Sequence, residues 1–280
     1  MVVEPRRTST GTNRPPLGGQ ENLGECVSQP STVIGCRHVS KRFGHVEALR
    51  DATVTVPAGK VVALVGDNGA GKSTLLKTLL GINHPDAGEV IINDEAVDLR
   101  DVRHAQALGV DAVHQDLALA PELSVVDNMF LGHARLKSGA PGRFGVLDRK
   151  RMTEEADAAL RDLSITLPSL TVPIRELSGG QRQAVAVARA VMWSSSAVLM
   201  DEPTAALGAT QSQIVCDLMR TVAARGLGVL VVSHDLPRIL DAADTITVLW
   251  RGETVLEAPS SNLTVPDLVA TMVGYRQGAA

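Results

Sequence analysis

Nine consecutive residues have the types and spacing that bind a phosphate group. They match Gly-x-x-x-x-Gly-Lys-Ser/Thr, and they lie between an apolar run at residues 61–65 and a run with leucines at helical spacing. Glycines let the backbone curl so that successive N–H groups point at phosphate oxygens. The pattern predicts a nucleotide site in which Lys72 reaches the β and γ phosphates and the Ser73 hydroxyl reaches Mg²⁺. A glycine-rich turn before an ordinary helix is the simpler alternative. The predicted loop consists of Gly66, Asp67, Asn68, Gly69, Ala70, Gly71, Lys72, Ser73 and Thr74.

A second apolar run, at residues 197–200, ends in two carboxylates, Asp201 and Glu202. Downstream of a phosphate loop, Asp201 is predicted to hold Mg²⁺ directly or through water. Glu202 is predicted to polarise an attacking water as general base. Strands often end in aspartate, so this motif alone is weak. Its order after the phosphate loop makes it the expected second half of the site.

Strand-like and helix-like segments alternate around both motifs, which predicts an α/β fold with a largely parallel sheet. Between residues 116 and 193 helical signals dominate, which predicts a helical subdomain there. Strands are predicted at residues 53–56, 61–65, 89–92, 110–114, 197–200, 229–232 and 245–249. Helices are predicted at residues 73–80, 149–163, 181–193, 210–225 and 266–273.

A third motif resembles the signature sequence of ABC ATPases. It reads Leu177, Ser178, Gly179, Gly180, Gln181, Arg182 and Gln183. With the two earlier motifs in this order, the resemblance covers residues 32–280. It implies a P-loop NTPase core with a largely parallel sheet, an N-terminal antiparallel β part and an inserted helical subdomain. It also implies that the residues from Ser178 to Gln181 form a second anion site. That site would face ATP held by the opposite subunit, so that two ATP molecules lie between two ATPase domains.

Three further positions match functional residues of this family. Phe43 occupies the place of the aromatic residue that stacks on adenine. Gln115 resembles the glutamine that senses Mg²⁺ and connects to the helical subdomain. His234 resembles the histidine that contacts the γ-phosphate and supports Glu202. A core phenylalanine and a structural histidine are the competing interpretations of Phe43 and His234.

One position departs from the family pattern. Gly208 stands where most members carry an aspartate that helps communication across the dimer. The change is consistent with impaired or asymmetric hydrolysis. Residues 204–208 also look like the variant found in ATPases of carbohydrate importers, so we interpret the glycine as a subfamily mark.

The chain resembles in particular the ribose-, xylose- and fructose-type importers, at residues 66–69 and 121–132. The second stretch is implied to contact a coupling helix of the permease, although plain packing explains its amphipathic character equally well. The resemblance implies a homodimer or a heterodimer of ATPase domains with two permease subunits, on the cytoplasmic face of the membrane. It implies an extracytoplasmic sugar-binding protein as an indirect partner.

Composition limits the alternatives. The chain has 280 residues, 44% of them hydrophobic, and a formal net charge of -4, which indicates no general attraction to nucleic acid. Residues 1–31 are expected to form a disordered leader. The apolar runs have strand length, shorter than a membrane span. A soluble ABC ATPase of translation or DNA repair is the alternative function. An ATP-binding regulatory subunit is another, kept open by Gly208 and opposed by Glu202 and His234.

Overall fold

The computed structural model describes residues 31–205 and 207–274. The predicted leader therefore lies outside the described residues, except for Ser31. Among the described residues, ten strands form a single sheet in the order β5-β4-β1-β2-β10-β9-β3-β8-β7-β6. In chain order the strands are β1 (Ile34–Phe43), β2 (Val46–Val56), β3 (Val61–Val65), β4 (Ala87–Ile92), β5 (Glu95–Val97), β6 (Val110–Val113), β7 (Ala197–Asp201), β8 (Gly228–Val232), β9 (Thr245–Trp250) and β10 (Glu253–Pro259).

The helices that cover this sheet in the described ranges have these bounds, in chain order. They are α1 (Lys72–Leu79), α2 (Val102–Ala107), α3 (Val125–Met129), α4 (Ala140–Arg143), α5 (Arg149–Asp162), α6 (Gly179–Trp193), α7 (Ala209–Ala224), α8 (Leu236–Ala242) and α9 (Val265–Met272). Two short 3₁₀ helices, Ile174–Glu176 and Ser260–Asn262, complete the set. None of these helices has the length and apolarity needed to cross a lipid bilayer.

The sheet has a parallel part and an antiparallel part. Strands β9, β3, β8, β7 and β6 pair in parallel, and every residue of β3 and β8 is buried. Parallel strands with helices on both faces need apolar residues at every position, which explains their continuous valine and leucine runs. Strands β1, β2, β4 and β5 pair antiparallel at the N-terminal side. The predicted combination of a parallel core and an N-terminal antiparallel part is confirmed.

Two apolar layers lie on opposite faces of the sheet. Alternate residues of β3 enter each layer, because successive side chains of a strand point to opposite faces. Ala63 and Val65 join the layer that holds α5, α6 and α7. Val62 and Leu64 join the layer that holds α1 and the antiparallel strands. Strand β3 is thus packed on both faces, so the loop that follows it begins at a well-packed strand end.

The segment between β6 and β7 contains helices α3 to α6. Its only strand-like pairings are the isolated bridges Ser124↔Pro173 and Leu136↔Leu147. Its apolar side chains, among them Met152 and Leu160 of α5, belong to the same layer as α6 and α7. The helical character predicted for residues 116–193 is therefore present, and its status as a separate subdomain stays a prediction.

Candidate nucleotide site

The carboxyl ends of four neighbouring parallel strands meet at one edge of the sheet. Strand order places β3, β8, β7 and β6 side by side. The phosphate loop follows β3, His234 follows β8, and Gln115 follows β6. Strand β7 ends at Asp201, and Glu202 comes directly after it. In open α/β sheets the carboxyl edge of the strands is where ligands bind. Motifs far apart in sequence are therefore assembled by strand order alone.

The phosphate loop requires glycine at both ends of its curl. A Cβ on Gly66 would lie 2.3 Å from the carbonyl oxygen of Leu249. Gly71 has a φ of 107°, and a Cβ there would lie 2.5 Å from the carbonyl oxygen of Ala48. Both contacts are closer than a real Cβ tolerates, so these glycines let β9 and β2 approach the loop. The loop is thereby held against two strands of the sheet.

Lys72 is buried and its ammonium group lies inside the loop. Its Nζ donates to the carbonyl oxygens of Gly66, at 2.7 Å, and Asp67, at 2.9 Å. Burial lowers the pKa of Lys72, and the negative charges of Glu202, Asp67 and Asp201 oppose that shift. The ammonium is thus positioned at the centre of the curl. Ser73 is exposed in the first turn of α1, and Thr74 follows it.

The two carboxylates at the end of β7 lie close enough to repel each other. Burial raises the pKa of Asp201, and the charge of Glu202 raises it further, while His114, Lys77 and Lys72 act in the opposite direction. Glu202 has a φ of 49°, an unfavourable conformation for a non-glycine residue that is often found at functional sites. Its backbone N–H donates to the carbonyl oxygen of Val232 at 2.9 Å, which ties this loop to β8.

These groups suit Mg²⁺ better than a metal that needs a full protein cage. A cation would relieve the repulsion between Asp201 and Glu202. The Ser73 side chain, which directly follows Lys72, is exposed and could also contact a cation. Within the described ranges, no group of three or more His, Cys, Asp or Glu side chains could hold a metal. Mg²⁺ typically takes one or two protein carboxylates and completes its shell with phosphate and water. The residues present therefore fit a nucleotide-bound Mg²⁺.

His234 lies beside Glu202, as the resemblance implied. Its Nδ1 is 3.4 Å from Oε1 of Glu202, and its side chain is 67% exposed while that of Glu202 is 26% exposed. The exposure leaves the other ring nitrogen free to meet a ligand. His234 is therefore not a core histidine, and its role at the γ-phosphate stays a prediction.

Gln115 and Phe43 lie at the margins of this site. Gln115 is exposed directly beyond β6. Phe43 ends β1 and is 47% exposed, with the Lys41 ammonium 5.6 Å from its ring centroid. Its hairpin partner strand, β2, carries Ala48, which contacts Gly71. Phe43 is therefore not a core residue, and its stacking on adenine stays a prediction.

The signature residues form the capped N-terminus of α6, away from the loops described above. Ser178 caps the helix: its Oγ accepts from the Gln181 N–H at 3.3 Å, and its own N–H donates to Oε1 of Gln181 at 2.9 Å. A Cβ on Gly179 would lie 3.3 Å from Leu207, and one on Gly180 would lie 3.2 Å from Gln211. The signature thus packs on α7. In the described part of the chain no hydrogen bond joins it to the phosphate loop.

Sequence reasoning missed two residues that shape the loop after Gln115. Asn128 is fully buried and bonds the backbone of Ala120, Leu123 and Ser124. Arg189 of α6 donates to the carbonyl oxygens of the two residues Leu117 and Ala118. Asn128 could have been found as a polar residue inside the apolar run 125–130. Nothing in the sequence distinguishes Arg189 from a solvent-facing helical arginine.

Comparison with known proteins agrees with this site. A family model described as ABC transporter matches residues 49–205. The chain is 40% identical over 247 residues to the fructose import ATP-binding protein FrcA of Rhizobium meliloti, covering 88% of this chain and 95% of that protein. It is 39% identical over 248 residues to the xylose/arabinose import ATP-binding protein XylG of Sulfolobus acidocaldarius, covering 89% and 96%. It is 40% identical to the ribose import ATP-binding protein RbsA 2 of Rubrobacter xylanophilus, but spans only 46% of that protein.

Solved structures share the fold. A nucleotide-free ATP-binding cassette from an ABC transporter matches with a TM-score of 0.74 at 24% identity, covering 89% of this chain and 100% of that one. A dimeric cassette in a post-hydrolysis state, bound to ADP and phosphate, matches with a TM-score of 0.66 at 26% identity, covering 81% and 98%. A phosphate loop after a buried strand and a carboxylate pair at the next strand but one define the P-loop class of ATPases. The chain belongs to the ABC transporter family.

Proposed function

We propose that this chain is the ATP-hydrolysing subunit of a carbohydrate importer and drives separate permease subunits. The observation that carries the proposal is the convergence of four loops on one sheet edge, in a chain similar to named fructose and xylose/arabinose import ATP-binding proteins. The described residues contain no helix that could span a membrane. Separate membrane subunits would form the path of the solute.

The chemistry is attack of water on the γ-phosphate of ATP, in line with the leaving ADP. Glu202 would orient the water and accept its proton, and His234 would hold the Glu202 carboxylate through the 3.4 Å contact. Lys72 would neutralise the β and γ phosphates from inside the loop. Ser73 and Asp201, with Gln115 beside them, would hold Mg²⁺, which would supply positive charge against the negative charge of the phosphates. Phe43 would stack on the adenine.

The second anion site requires a second ATPase chain. Ser178 and the glycines after it begin α6, and among the described residues no hydrogen bond joins them to the phosphate loop of the same chain. We infer a head-to-tail pair in which each signature meets the ATP of the other chain. ATP would hold the two chains together, and hydrolysis would release them. The pairing is with an identical chain or with another ATPase chain.

The permease surface is inferred at the end of the 121–132 stretch. Most of its apolar side chains, such as Met129 and Phe130, are buried, so packing explains them. Leu131 is 53% exposed and remains available. A groove of about 590 Å³ between α5 and the end of α6 lies close by, and the Nε1 of Trp193 in its wall donates to the carbonyl oxygen of Met129 at 2.9 Å. Leu131 and this groove together form the proposed docking surface.

A pull-down of the tagged full chain from detergent-solubilised membranes tests this function. We expect to recover a permease together with a sugar-binding protein. Leu131→Asp should lose the permease while ATP binding persists. Val269→Asp, which changes a similarly exposed residue of α9, should keep it. Recovery of ribosomal or DNA-repair proteins without a permease would overturn the transport function and leave the ATPase site standing.

A further inference from the structure

Arg189 holds a partly buried guanidinium on α6, and its two bonds go to backbone oxygens. Its Nη1 donates to the carbonyl oxygen of Ala118 at 2.7 Å, and its Nη2 donates to that of Leu117 at 3.0 Å. Burial lowers the pKa of Arg189, and the charge of Asp111 opposes that shift. Among the described residues, no carboxylate lies within ion-pair distance of it. The guanidinium is therefore held by backbone carbonyl oxygens of one turn and not by a carboxylate.

The residues that accept these bonds are strained. Leu117 has a φ of 60° and Ala118 a φ of 44°, two successive left-handed residues that are not glycine. Each such residue costs on the order of 1 kcal/mol and persists only where the surroundings enforce it. The Leu117 N–H donates back to the carbonyl oxygen of His114 at 2.8 Å, which closes a turn around Gln115. The two guanidinium bonds hold this turn from outside.

Gln115 therefore lies between two fixed points. On one side β6 pairs with β7, where Val113 is opposite Met200, the residue before Asp201. On the other side Arg189 ties the turn to α6. The same helix begins at the signature, ten residues earlier, which is about 15 Å along a rigid axis. A shift of α6 relative to β7 would pull on the turn through Arg189.

We propose that Arg189 is a positioning residue: it fixes Gln115 relative to Asp201 and transmits displacements of the signature helix to Gln115. This rests on the proposed function in one respect, the role of Gln115 at the Mg²⁺–ATP site. Guanidinium is suited to the task because its planar fork meets two adjacent carbonyl oxygens at once. Lysine, with a single ammonium, would hold the turn less firmly.

The clamp is tested first without nucleotide, by hydrogen–deuterium exchange of the peptide that covers residues 114–119. Arg189→Met keeps the aliphatic stem and removes both donors. We expect exchange in this peptide to rise at least about tenfold while α6 and β6 stay protected. Arg189→Lys should give an intermediate rise. Arg161→Met, an exposed arginine of α5, is the matched control and should change nothing in this peptide. Unchanged exchange in both Arg189 variants would overturn the proposal.

The coupling to Gln115 is tested by a double-mutant cycle on the Mg²⁺ dependence of ATP turnover. Arg189→Met and Gln115→Ala should each raise the Mg²⁺ concentration for half-maximal turnover by about tenfold. The double variant should lie within about twofold of Gln115→Ala, because both changes remove the same contact. Multiplied effects, near 100-fold, would show that Arg189 acts independently of Gln115 and would overturn the inference.

The two ideas fail in different ways. If Gln115→Ala leaves the Mg²⁺ dependence unchanged, the proposed role of Gln115 is wrong, and the exchange experiment still decides whether Arg189 holds the turn. If Arg189→Met unfolds the protein, Arg189→Lys carries both measurements, since it retains the charge and the stem. Thermal melting of each variant separates loss of fold from loss of position.

Discussion

Individual residues of the site are held in unfavourable states that a nucleotide would relieve. Burial lowers the pKa of Lys72, and its ammonium donates to carbonyl oxygens of its own loop at 2.7 and 2.9 Å. Asp201 and Glu202 repel each other, and Glu202 also has a φ of 49°. Such local costs persist only where the rest of the structure enforces them. Stability and function therefore oppose each other at these positions.

The first prediction concerns Asp201 and pH. The pKa of its carboxyl is raised above the ordinary 3.8 by burial and by Glu202. The native state thus binds this proton more tightly than the unfolded state does, and the contribution is lost as the pH rises through the raised pKa. Asp201→Asn should therefore raise Tm by about 2 °C at pH 8 without Mg²⁺, and the gain should vanish below about pH 3, where the carboxyl is protonated in both the native and the unfolded state.

The measurement is thermal melting across this pH range. Asp267→Asn is the control of opposite sign, because hydrogen bonds from Thr264 lower the pKa of Asp267. It should lower Tm at pH 8 and have little effect at low pH. A gain for Asp201→Asn that is the same at about pH 3 and at pH 8 would contradict the charge-based explanation.

The second prediction concerns Glu202. Glu202→Gln keeps the shape of the side chain and removes the base, so turnover should fall by about 100-fold or more while ATP binding remains. The unhydrolysed nucleotide should then trap a dimer, visible by size-exclusion chromatography with ATP. His234→Ala should reduce turnover less, by about tenfold, because the histidine acts through Glu202. A Glu202→Gln protein that stays monomeric with ATP would exclude the proposed dimer.

Two helix N-termini lie side by side in the structure and differ in their caps. Ser178 and Gln181 form a reciprocal capping box at the start of α6. Helix α7 follows Gly208, where Oε1 of Gln211 accepts from the Gly208 N–H at 3.3 Å but no side chain caps the helix from the other direction. Gly208 has an extended backbone, with φ -70°. Glycine is therefore not required there by the backbone.

The third prediction follows at this level. A Cβ on Gly208 would meet only Oε1 of Gln211, at 3.9 Å, so Gly208→Asp should fit and cap α7. We expect a gain of about 0.3 kcal/mol, or roughly 1 °C in Tm, with turnover unchanged or higher. Gly71→Asp is the contrasting variant and should lose ATP binding, because its φ is 107° and its Cβ would overlap Ala48. Loss of turnover in Gly208→Asp would show that the glycine itself is required.

In the whole molecule, the phosphate loop and the signature lie in separate parts of the fold. The first lies at the edge of the sheet, and the second packs on α7 through Gly180 and Gln211. In the proposed dimer, one chain would therefore supply the phosphate loop of one site and the signature that covers the nucleotide of the other site. This arrangement fits the named dimeric cassette that the chain resembles in fold.

The fourth prediction tests this composite site by complementation. Each proposed site combines the phosphate loop of one chain with the signature of the other. Lys72→Ala should inactivate the phosphate loop and Ser178→Arg the signature, so each variant alone should be inactive as a homodimer. A one-to-one mixture forms half mixed dimers, each with one intact site, and should recover up to about a quarter of the turnover. The measurement is ATPase activity of the mixture against each variant. No recovery in the mixture, with mixed dimers shown by differential tags, would contradict sites shared between chains.

The amino-acid sequence by itself determined the motifs whose parts are contiguous. The phosphate loop needs only a few adjacent residues and a strand before it, so its glycines and Lys72 were predictable from spacing. The buried parallel strands β3 and β8 were also predictable from the sequence, because their apolar runs are continuous. The individual strands β1, β5 and β10 were missed. In β1 and β10 buried and exposed residues do not alternate regularly. In addition, β10 pairs with β2 through Glu253 and Asp51, which are far apart in the sequence.

The tertiary structure alone decided everything that depends on long-range contact. The 3.4 Å approach of His234 to Glu202 follows from β8 lying beside β7. The need for glycine at position 66 comes from Leu249 on β9. Arg189 reaches Ala118 across 71 residues of sequence, and no local pattern encodes that bond. Spacing along the chain specifies chemistry within one loop, whereas strand order and helix packing specify which loops share a site.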